Sequence, residues 1–275
     1  MFSWVLKQVK RNKSKLYFGI GILCFLIPVV LQIINNREQE QLIASYEKLF
    51  ESYDEEEMEQ CLARAVQYNM TRTGDYETQL NLAGTGMMGS IEIPTIKVQL
   101  PIYHGTADDV LARGVGHIKE TSLPIGGEGC HAVLTGHCGL PNAELFTRLD
   151  ELEKGDCFYI NVCGKVLGYE VIRVLVVEPD NISVMEPENE KDLISLVTCT
   201  PYGINSHRLV VTGERMQDVV AKAEMSEEPE RGVDEKVCYL AVISLVLFIC
   251  LVCRSVSRKY RDYRENRREN RSRLQ

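Results

Sequence analysis

The stretch from Leu193 to Arg215 constrains the fold of this chain more than any other part of its sequence. Leu193–Thr198 is apolar and β-branched, and His207–Glu214 carries a second run of the same kind, so both predict strands. Pro201 and Gly203 lie between the two runs and are residues typical of turns. The stretch therefore predicts a strand, a loop and a second strand.

Two reactive groups lie where these strands meet the loop. Cys199 ends the first strand and Arg208 opens the second. If the strands pair as neighbours, the thiol and the guanidinium lie on the same side of the strand pair, next to the loop. A nearby positive charge favours the thiolate, which is the nucleophilic form of cysteine. The alternative is a buried cysteine beside an ordinary turn.

The unbroken run from Thr198 to Leu209 resembles the active-site signature of sortases, the cysteine transpeptidases of Gram-positive cell surfaces, and it is most similar to class C, the pilin-polymerising branch. The resemblance implies that Cys199 attacks a peptide carbonyl and that Arg208 stabilises the substrate carbonyl or the oxyanion. Three neighbours of the cysteine are candidates for oxyanion or substrate contacts: Thr198, Thr200 and Tyr202.

A catalytic thiol needs a base that later acts as an acid, and histidine is the usual one. Of the five histidines, His137 stands where a predicted strand opens into a loop rich in glycine and proline. The sequence Thr135-Gly-His-Cys-Gly-Leu-Pro141 also resembles the histidine motif of class C sortases. Cys138 departs from that motif, because arginine is common there. His137 is therefore the predicted base and acid.

The region around these motifs is rich in short strands. Ser90–Tyr103 alternates like one strand, Cys130–Thr135 predicts a buried strand, and Cys157–Val162 with Tyr169–Glu178 predicts a hairpin. Six to eight short strands with little helix between them indicate a closed barrel. The resemblance implies a mainly β fold, the eight-stranded sortase β-barrel, here with an N-terminal helical segment and flanking transmembrane helices.

Composition divides the 275 residues into successive segments. We predict a basic cytoplasmic leader, a transmembrane helix, an extracellular helical or lid-equivalent segment, the catalytic barrel, a linker, a second transmembrane helix and a basic cytoplasmic tail, at residues 1–15, 16–35, 36–79, 80–220, 221–236, 237–253 and 254–275. Leu16–Ile34 carries no charge and can span a bilayer core of about 30 Å. A cleaved signal peptide is the alternative, and its apolar region is usually shorter.

Lysine and arginine flank the outer ends of both apolar segments, so both termini are expected in the cytoplasm and the catalytic domain outside the cell membrane. The apolar residues of 37–70 recur with helical spacing, and Asp54–Glu59 is a solvated acidic face or a break between two helices.

The extracellular cysteines are expected to be free. Cys157 and Cys163, in particular, lie too far apart on one extended strand to bridge.

The chain carries a net charge of −8, whereas nucleic-acid binding requires a basic surface. Nucleic acid is therefore not expected among its partners. No cofactor is expected. Four residues form a small cluster of potential zinc ligands: Cys130, His131, His137 and Cys138. Neighbours on a strand point to opposite faces, so these side chains do not converge easily and no metal is predicted.

The resemblance implies partners as well as chemistry. The substrates would be pilins or other surface proteins with a Leu-Pro-x-Thr-Gly-like motif, cleaved between Thr and Gly through a thioester, and a pilin lysine amine would be the acceptor. Cell-wall anchoring, a hydrolytic peptidase on the same fold and a non-enzymatic surface β-domain remain alternatives.

Class C sortases usually carry an Asp-Pro-aromatic lid. Asp75 and Tyr76 are the nearest equivalent here and lack the proline, which predicts a short, altered or missing lid.

Overall fold

The structure is a computed structural model, and it describes residues 13–140, 143–181, 183–216 and 254. The chain divides into two compact units, at residues 1–231 and 232–275. The elements below all belong to the first unit. The predicted second apolar segment, 237–253, lies outside the described residues.

Two helices precede the barrel: α1, Lys13–Ser52, and α2, Glu55–Thr71. They are separated at Tyr53 and Asp54, where the acidic run begins, so of the two alternatives for this run the structure shows a break between two helices. The side chain of Asp54 accepts a hydrogen bond of 2.8 Å from the backbone amide of Glu57, which caps the exposed amide groups of the first turn of α2. The break is therefore set by a local capping interaction.

The helices bury one stripe of side chains against the barrel. The stripe contains Ile43, Tyr46, Phe50, Cys61, Ala65 and Tyr68. The hydroxyl of Tyr46 donates a 2.7 Å hydrogen bond to the carbonyl oxygen of Met88, so this helix face is held to the first strand of the barrel. The outer surface of that strand is consequently covered.

Eight strands follow. They are β1 Met87–Ile93, β2 Val98–His104, β3 Val115–His117, β4 Cys130–Thr135, β5 Cys157–Val162, β6 Lys165–Val177, β7 Asp192–Thr200 and β8 His207–Arg215. They close into a barrel in the order β1-β2-β3-β4-β7-β8-β6-β5. A short helix, α3, Asp108–Leu111, lies between β2 and β3. The mainly β, eight-stranded barrel with an N-terminal helix is confirmed.

Two of the eight pairings are parallel, β2 with β3 and β4 with β7, and the other six are antiparallel. Parallel neighbours need a long connection. Between β4 and β7 that connection contains the whole β5–β6 hairpin. The pairing of β4 with β7 therefore joins segments that are far apart in the sequence.

The prediction of one alternating strand over Ser90–Tyr103 is wrong. The segment is a hairpin of β1 and β2, joined by a 3₁₀ turn at Pro94–Ile96 and by Lys97 in the left-handed region at φ 55°. Proline fixes its own φ and suits the first position of such a turn. All seven residues of β1 are buried, because α1 covers the face that an exposed strand would show to solvent.

Within the described part of the chain, no helix combines the length and the apolar character needed to cross a membrane.

Candidate active site

The nucleophile candidate and the arginine lie opposite each other on paired strands. Cys199 of β7 is the register partner of Arg208 of β8, as the strand–loop–strand hypothesis requires. Side chains of directly opposed residues in an antiparallel pair share one face of the sheet. Both residues are partly accessible. The thiol and the guanidinium therefore face the same side of the barrel wall.

That side is the outer face of the wall. Alternate residues of β7 point inward and join the main core, as Ile194 and Leu196 do. Val197 points the other way, two residues before Cys199, and packs with its cross-strand partner Val210. Cys199 and Arg208 continue this outward row at the end of the two strands.

The loop between β7 and β8 is a compact exposed turn. The backbone amides of Ile204 and Asn205 both donate to the carbonyl oxygen of Pro201, at 3.1 and 2.9 Å, and the Thr200–Pro201 peptide bond is cis. The Nη1 atom of Arg208 donates to the carbonyl oxygens of Asn205, at 3.3 Å, and His207, at 3.0 Å. Loop backbone groups thus hold the guanidinium at the end of the strand pair.

The parallel pairing of β4 with β7 brings His137 to the same region. Thr135 is the register partner of Val197. His137 follows Thr135 by two residues, and Cys199 follows Val197 by two residues. The backbone amide of Gly136 donates to the carbonyl oxygen of Val197 at 3.1 Å, which extends the pairing past the end of β4. The predicted base is therefore level with the predicted nucleophile.

Hydrogen bonds fix the chain on both sides of His137. Thr198 donates from its hydroxyl to the carbonyl oxygen of Gly136 at 2.7 Å. The carbonyl oxygen of His137 accepts from the amide of Phe146 at 3.1 Å, and the amide of Gly139 donates to Thr147 Oγ1 at 2.9 Å. His137 is consequently held by its backbone, while its side chain is partly accessible.

Two glycines of the histidine motif are required by close packing. A Cβ atom on Gly136 would lie 2.9 Å from Cδ2 of Phe146, and one on Gly139 would lie 2.8 Å from Cε2 of Tyr202. Gly139 also has a φ of 83°, a region that side chains with a Cβ rarely adopt. The Tyr202 ring, 68% exposed, thus rests on the loop that follows His137.

The three residues proposed for oxyanion or substrate contacts have different positions. Thr198 is buried and its hydroxyl is engaged by Gly136. Thr200 is half-buried at the end of the ladder, opposite His207. Tyr202 is exposed in the loop. The structure therefore gives Thr198 a positioning contact and leaves Tyr202 accessible to a peptide.

The two lid-equivalent residues pack elsewhere. Asp75 caps a 3₁₀ turn through its carboxylate, which accepts from the amide of Glu77 at 3.2 Å. Tyr76 is buried, and its hydroxyl lies 2.9 Å from Nδ1 of His117 and accepts from the amide of Gly105 at 3.0 Å. These contacts join Tyr76 to β3 and to the end of β2, and none that the structure gives for the pair reaches Cys199.

His117 is a buried structural histidine. Its Nε2 atom lies 2.7 Å from the carbonyl oxygen of Ser122, so this nitrogen carries the proton and Nδ1 accepts from Tyr76. Burial lowers the pKa of His117 to about 4, and the neutral form is consequently the stable one.

A polar network that the sequence did not reveal crosses the outer face below the site. Nε2 of His131 lies 2.8 Å from Ser195 Oγ, which in turn lies 2.8 Å from Thr212 Oγ1. Nδ1 of His131 lies 2.9 Å from the carbonyl oxygen of Glu186, in the loop between β6 and β7. Since only a nitrogen bearing a proton can bond to that carbonyl, His131 donates from Nδ1 and accepts at Nε2. Burial lowers the pKa of His131, which favours this neutral form.

The same loop covers an apolar cluster beside the network. Val184 and Met185 pack against Val133, Val197 and Val210. This outer cluster adjoins Cys199 through Val197. The alternation of β4 places His131 on the same face as Val133, and this alternation is the sequence pattern that could have indicated the network.

The pKa of the Cys138 thiol is affected by groups near it, including Cys199. Burial raises the pKa of the Cys138 thiol, and the nearby Asp150 and Cys199 raise it further. A raised pKa keeps this second thiol protonated and unreactive at neutral pH. Among the described residues, no group of three or more side chains is arranged to hold a metal ion.

The fold and the site together define a cysteine-dependent acyl-transfer enzyme, with a thiol, a guanidinium and an imidazole-bearing loop at one end of a barrel wall. Residues 91–216 match the sortase domain family. The chain is similar to the crystal structure of sortase C1 from Streptococcus agalactiae, with 37% identity and a TM-score of 0.62 over 64% of this chain and 98% of that one. It is also similar to Clostridium perfringens sortase C, solved with the C-terminal cell wall sorting motif, with 41% identity and a TM-score of 0.60 over 64% of this chain and 98% of that one.

Curated relatives include sortase D of Bacillus subtilis (strain 168), which is 35% identical over 131 residues, or 46% of this chain and 63% of that protein. Sortase A of Bacillus anthracis is 28% identical over 206 residues, or 74% of this chain and 96% of that protein. The chain therefore belongs to the sortase family of cysteine transpeptidases.

Proposed function

We propose that this sortase is a pilin polymerase of class C, with Cys199 as nucleophile, His137 as acid and base, and Arg208 as the stabiliser of the oxyanion. The register of Cys199 with Arg208, extended to His137 through β4, is the observation that carries this proposal. Solved structures of class C enzymes that are 37–41% identical to the chain support the class.

The reaction begins with attack of the Cys199 thiolate on the carbonyl between Thr and Gly of a Leu-Pro-x-Thr-Gly-like motif. Arg208, opposite Cys199 on the neighbouring strand, stabilises the tetrahedral oxyanion. His137, protonated, gives its proton to the leaving amine of Gly, and a thioester remains. A pilin lysine amine then attacks the thioester, His137 accepts its proton, and an isopeptide bond forms as the thiolate leaves.

Two apolar side chains beside the site favour a peptide substrate. Val184 and Met185 are half-buried and pack over the buried Val197 and Val210. An extended peptide with Leu and Pro before its Thr can place apolar side chains against Val184 and Met185. The sorting motif would thus run along the outer face, with its Thr carbonyl at Cys199.

The test is the intact mass of the full-length chain after incubation with a Leu-Pro-x-Thr-Gly peptide. A mass gain equal to the peptide cleaved after Thr is expected for the wild type and for Cys138→Ala. The Cys138→Ala variant is the matched control, because it removes a thiol near the nucleophile. No gain is expected for Cys199→Ala. An adduct that persists in Cys199→Ala, or no adduct with any variant motif in the wild type, contradicts the proposal.

Cell-wall anchoring is the second candidate, because the similar Clostridium perfringens sortase C was solved with a cell wall sorting motif. The two functions differ in the amine that resolves the thioester. Competing a pilin-derived lysine peptide against a cell-wall cross-bridge peptide and measuring the two products separates them. Release of the free acid alone, with both amines present, would instead indicate a hydrolytic peptidase.

We also propose that the enzyme is held at the cell membrane with its barrel outside. The uncharged run at 16–34, the apolar segment at 237–253 and the basic residues beyond them support this arrangement. Ile27, Leu31 and Ile34 of α1 are about half exposed, at 47%, 48% and 50%, which is unusual for a helix in water. Recovery of the full chain in the membrane fraction after alkaline carbonate, with the barrel open to added protease on intact cells, is the expected result.

A further inference from the structure

Two buried thiols meet at the junction of the helices and the barrel. Cys163 lies in the tight turn between β5 and β6, where it has a φ of 46° and the next residue, Gly164, has a φ of 70°. A Cβ atom on Gly164 would lie 3.6 Å from Sδ of Met58 and 4.0 Å from Cβ of Phe50. The turn therefore enters the angle between α1, which carries Phe50, and α2, which carries Met58.

Cys61 approaches the turn from α2. Its Sγ atom lies 3.5 Å from Sγ of Cys163, and both residues are 2% exposed. The two residues are 102 positions apart in the sequence. A sulfur–sulfur bond is about 2.0 Å long, so closing it requires the two sulfurs to approach by about 1.5 Å, which small side-chain rotations can provide.

The electrostatics of the pair suit thiol–disulfide exchange. Cys163 donates its S–H to Cys61, and this hydrogen bond lowers the pKa of the Cys61 thiol against the opposing effect of burial. The positive charge of Arg64, one turn further along α2, lowers it further. The same hydrogen bond and burial raise the pKa of Cys163. Cys61 is thus the attacking thiolate, and Cys163 is the thiol that completes the bond.

We propose that Cys61 and Cys163 form a reversible disulfide that fastens α2 to the barrel. The oxidant is an external disulfide, either a small molecule or the disulfide of an oxidoreductase. Cys61 thiolate attacks one of its sulfurs and releases one thiolate. Cys163 then loses its proton, attacks Sγ of Cys61 and releases the second thiolate. Two protein thiols are oxidised, one external disulfide is reduced to two thiols, and no other reactant is consumed.

This bond is separate from the active site. The β5–β6 turn lies at the Lys165 end of β6, whereas Val177, at the other end, is the register partner of Arg208. The thirteen residues of β6 separate the two places by about 40 Å along the strand. Oxidation of the pair therefore leaves Cys199 free, and the inference does not depend on the proposed pilin substrate.

The experiment equilibrates the full-length chain with oxidised glutathione, alkylates the remaining thiols in denaturant and digests with trypsin without reduction. Residues 49–64 contain Cys61, and residues 155–165 contain both Cys157 and Cys163. A cross-linked pair of these peptides is expected, with full reversal by dithiothreitol. Cys157→Ser, six residues from Cys163, is the matched control and should keep the cross-link, whereas Cys163→Ser should lose it.

A second measurement does not depend on how the variants fold. Oxidised wild type should unfold at a higher urea concentration than reduced wild type, because a cross-link that closes a loop of this length restricts the unfolded chain. The proposal is overturned if Cys61 and Cys163 are both fully alkylated after equilibration. It is also overturned if the cross-link survives in Cys163→Ser, or if the two redox forms unfold at the same midpoint.

Discussion

The hydroxyl of Thr198 donates a hydrogen bond of 2.7 Å to the carbonyl oxygen of Gly136. These residues immediately precede Cys199 and His137, and they lie 62 positions apart in the sequence. One buried contact thus fixes the position of β7 relative to the loop that carries His137. Thr198, next to Cys199, acts here through Gly136.

Replacing Thr198 by valine tests this contact. Valine keeps the shape of threonine but leaves the buried carbonyl of Gly136 without its donor, which costs about 1–3 kcal/mol of unfolding free energy. We expect kcat to fall several-fold while KM for a sorting peptide changes little, because His137 and Cys199 lose their alignment and the apolar cluster is unchanged. Thr95→Val, which removes the exposed hydroxyl that bonds Asp156 at 3.0 Å, should leave both constants unchanged. A uniform loss of active enzyme with normal kcat per site would contradict this role.

The second prediction concerns Gly139, on which the Tyr202 ring rests. Gly139→Ala and Gly203→Ala both place a Cβ at positive φ, 83° and 75°, so each should cost about 1–2 kcal/mol of unfolding free energy. Only the Cβ at Gly139 meets Tyr202, since a Cβ at Gly203 has nothing within 4 Å. Gly139→Ala should therefore also raise KM for the peptide by displacing the ring, and Gly203→Ala should not.

Combining Gly139→Ala with Tyr202→Ala separates the effect of backbone strain from the effect of moving the ring. In the Tyr202→Ala variant, Gly139→Ala should no longer raise KM, but it should still lower the free energy of unfolding. An effect on KM that is the same with and without the ring would show that Tyr202 does not mediate it.

The third prediction concerns His131 and the β6–β7 loop. Asparagine can replace the Nδ1 donor to Glu186, and glutamine can instead replace the Nε2 contact with Ser195. Loss of one hydrogen bond corresponds to about 1 kcal/mol, or about fivefold in an equilibrium constant. His131→Gln should therefore raise KM for the sorting peptide about fivefold more than His131→Asn, because only the glutamine variant releases the loop that carries Val184 and Met185. Equal KM values for the two variants would mean that the loop does not depend on this bond.

The fourth prediction is a loss of stability in mild acid. Burial lowers the pKa of His117 to about 4, whereas a histidine in an unfolded chain titrates at about 6.5. The unfolded chain therefore binds a proton between these values that the folded chain does not, and the free energy of unfolding falls as the pH drops from about 6.5 to about 4. Above that window His117 is neutral in both states and contributes no pH dependence.

Urea unfolding at a series of pH values measures the effect. His117→Gln should flatten the profile between about pH 4 and 6.5, leaving the smaller slope of the same sign that His131 contributes. His207→Gln, at an exposed position, should retain the wild-type profile. A wild-type slope in His117→Gln would assign the acid sensitivity to other groups.

Local patterns in the sequence were sufficient for β7 and β8 and for half of the site. The β-branched runs on either side of Pro201 and Gly203 predict β7 and β8, and a short loop between antiparallel strands leaves few possible registers. Cys199 and Arg208 could therefore be paired from the sequence. The break at Asp54 was also visible, because helix capping is a matter of neighbouring residues.

The tertiary structure decided what depends on distant pairing. The backbone of His137 comes near that of Cys199 through the parallel pairing of β4 and β7, whose register no short turn specifies. Ser90–Tyr103 alternates like one strand, but a 3₁₀ turn at Pro94–Ile96 divides it into β1 and β2. Tyr76 was matched to a lid by its neighbours in sequence, yet the structure buries it against His117. The sequence by itself thus determined the reactive groups and their local strands. The position of His137, the His131 network and the Cys61–Cys163 contact were decided only by the tertiary structure. Each of them joins segments that are far apart in the sequence, and local interactions do not fix how such segments meet.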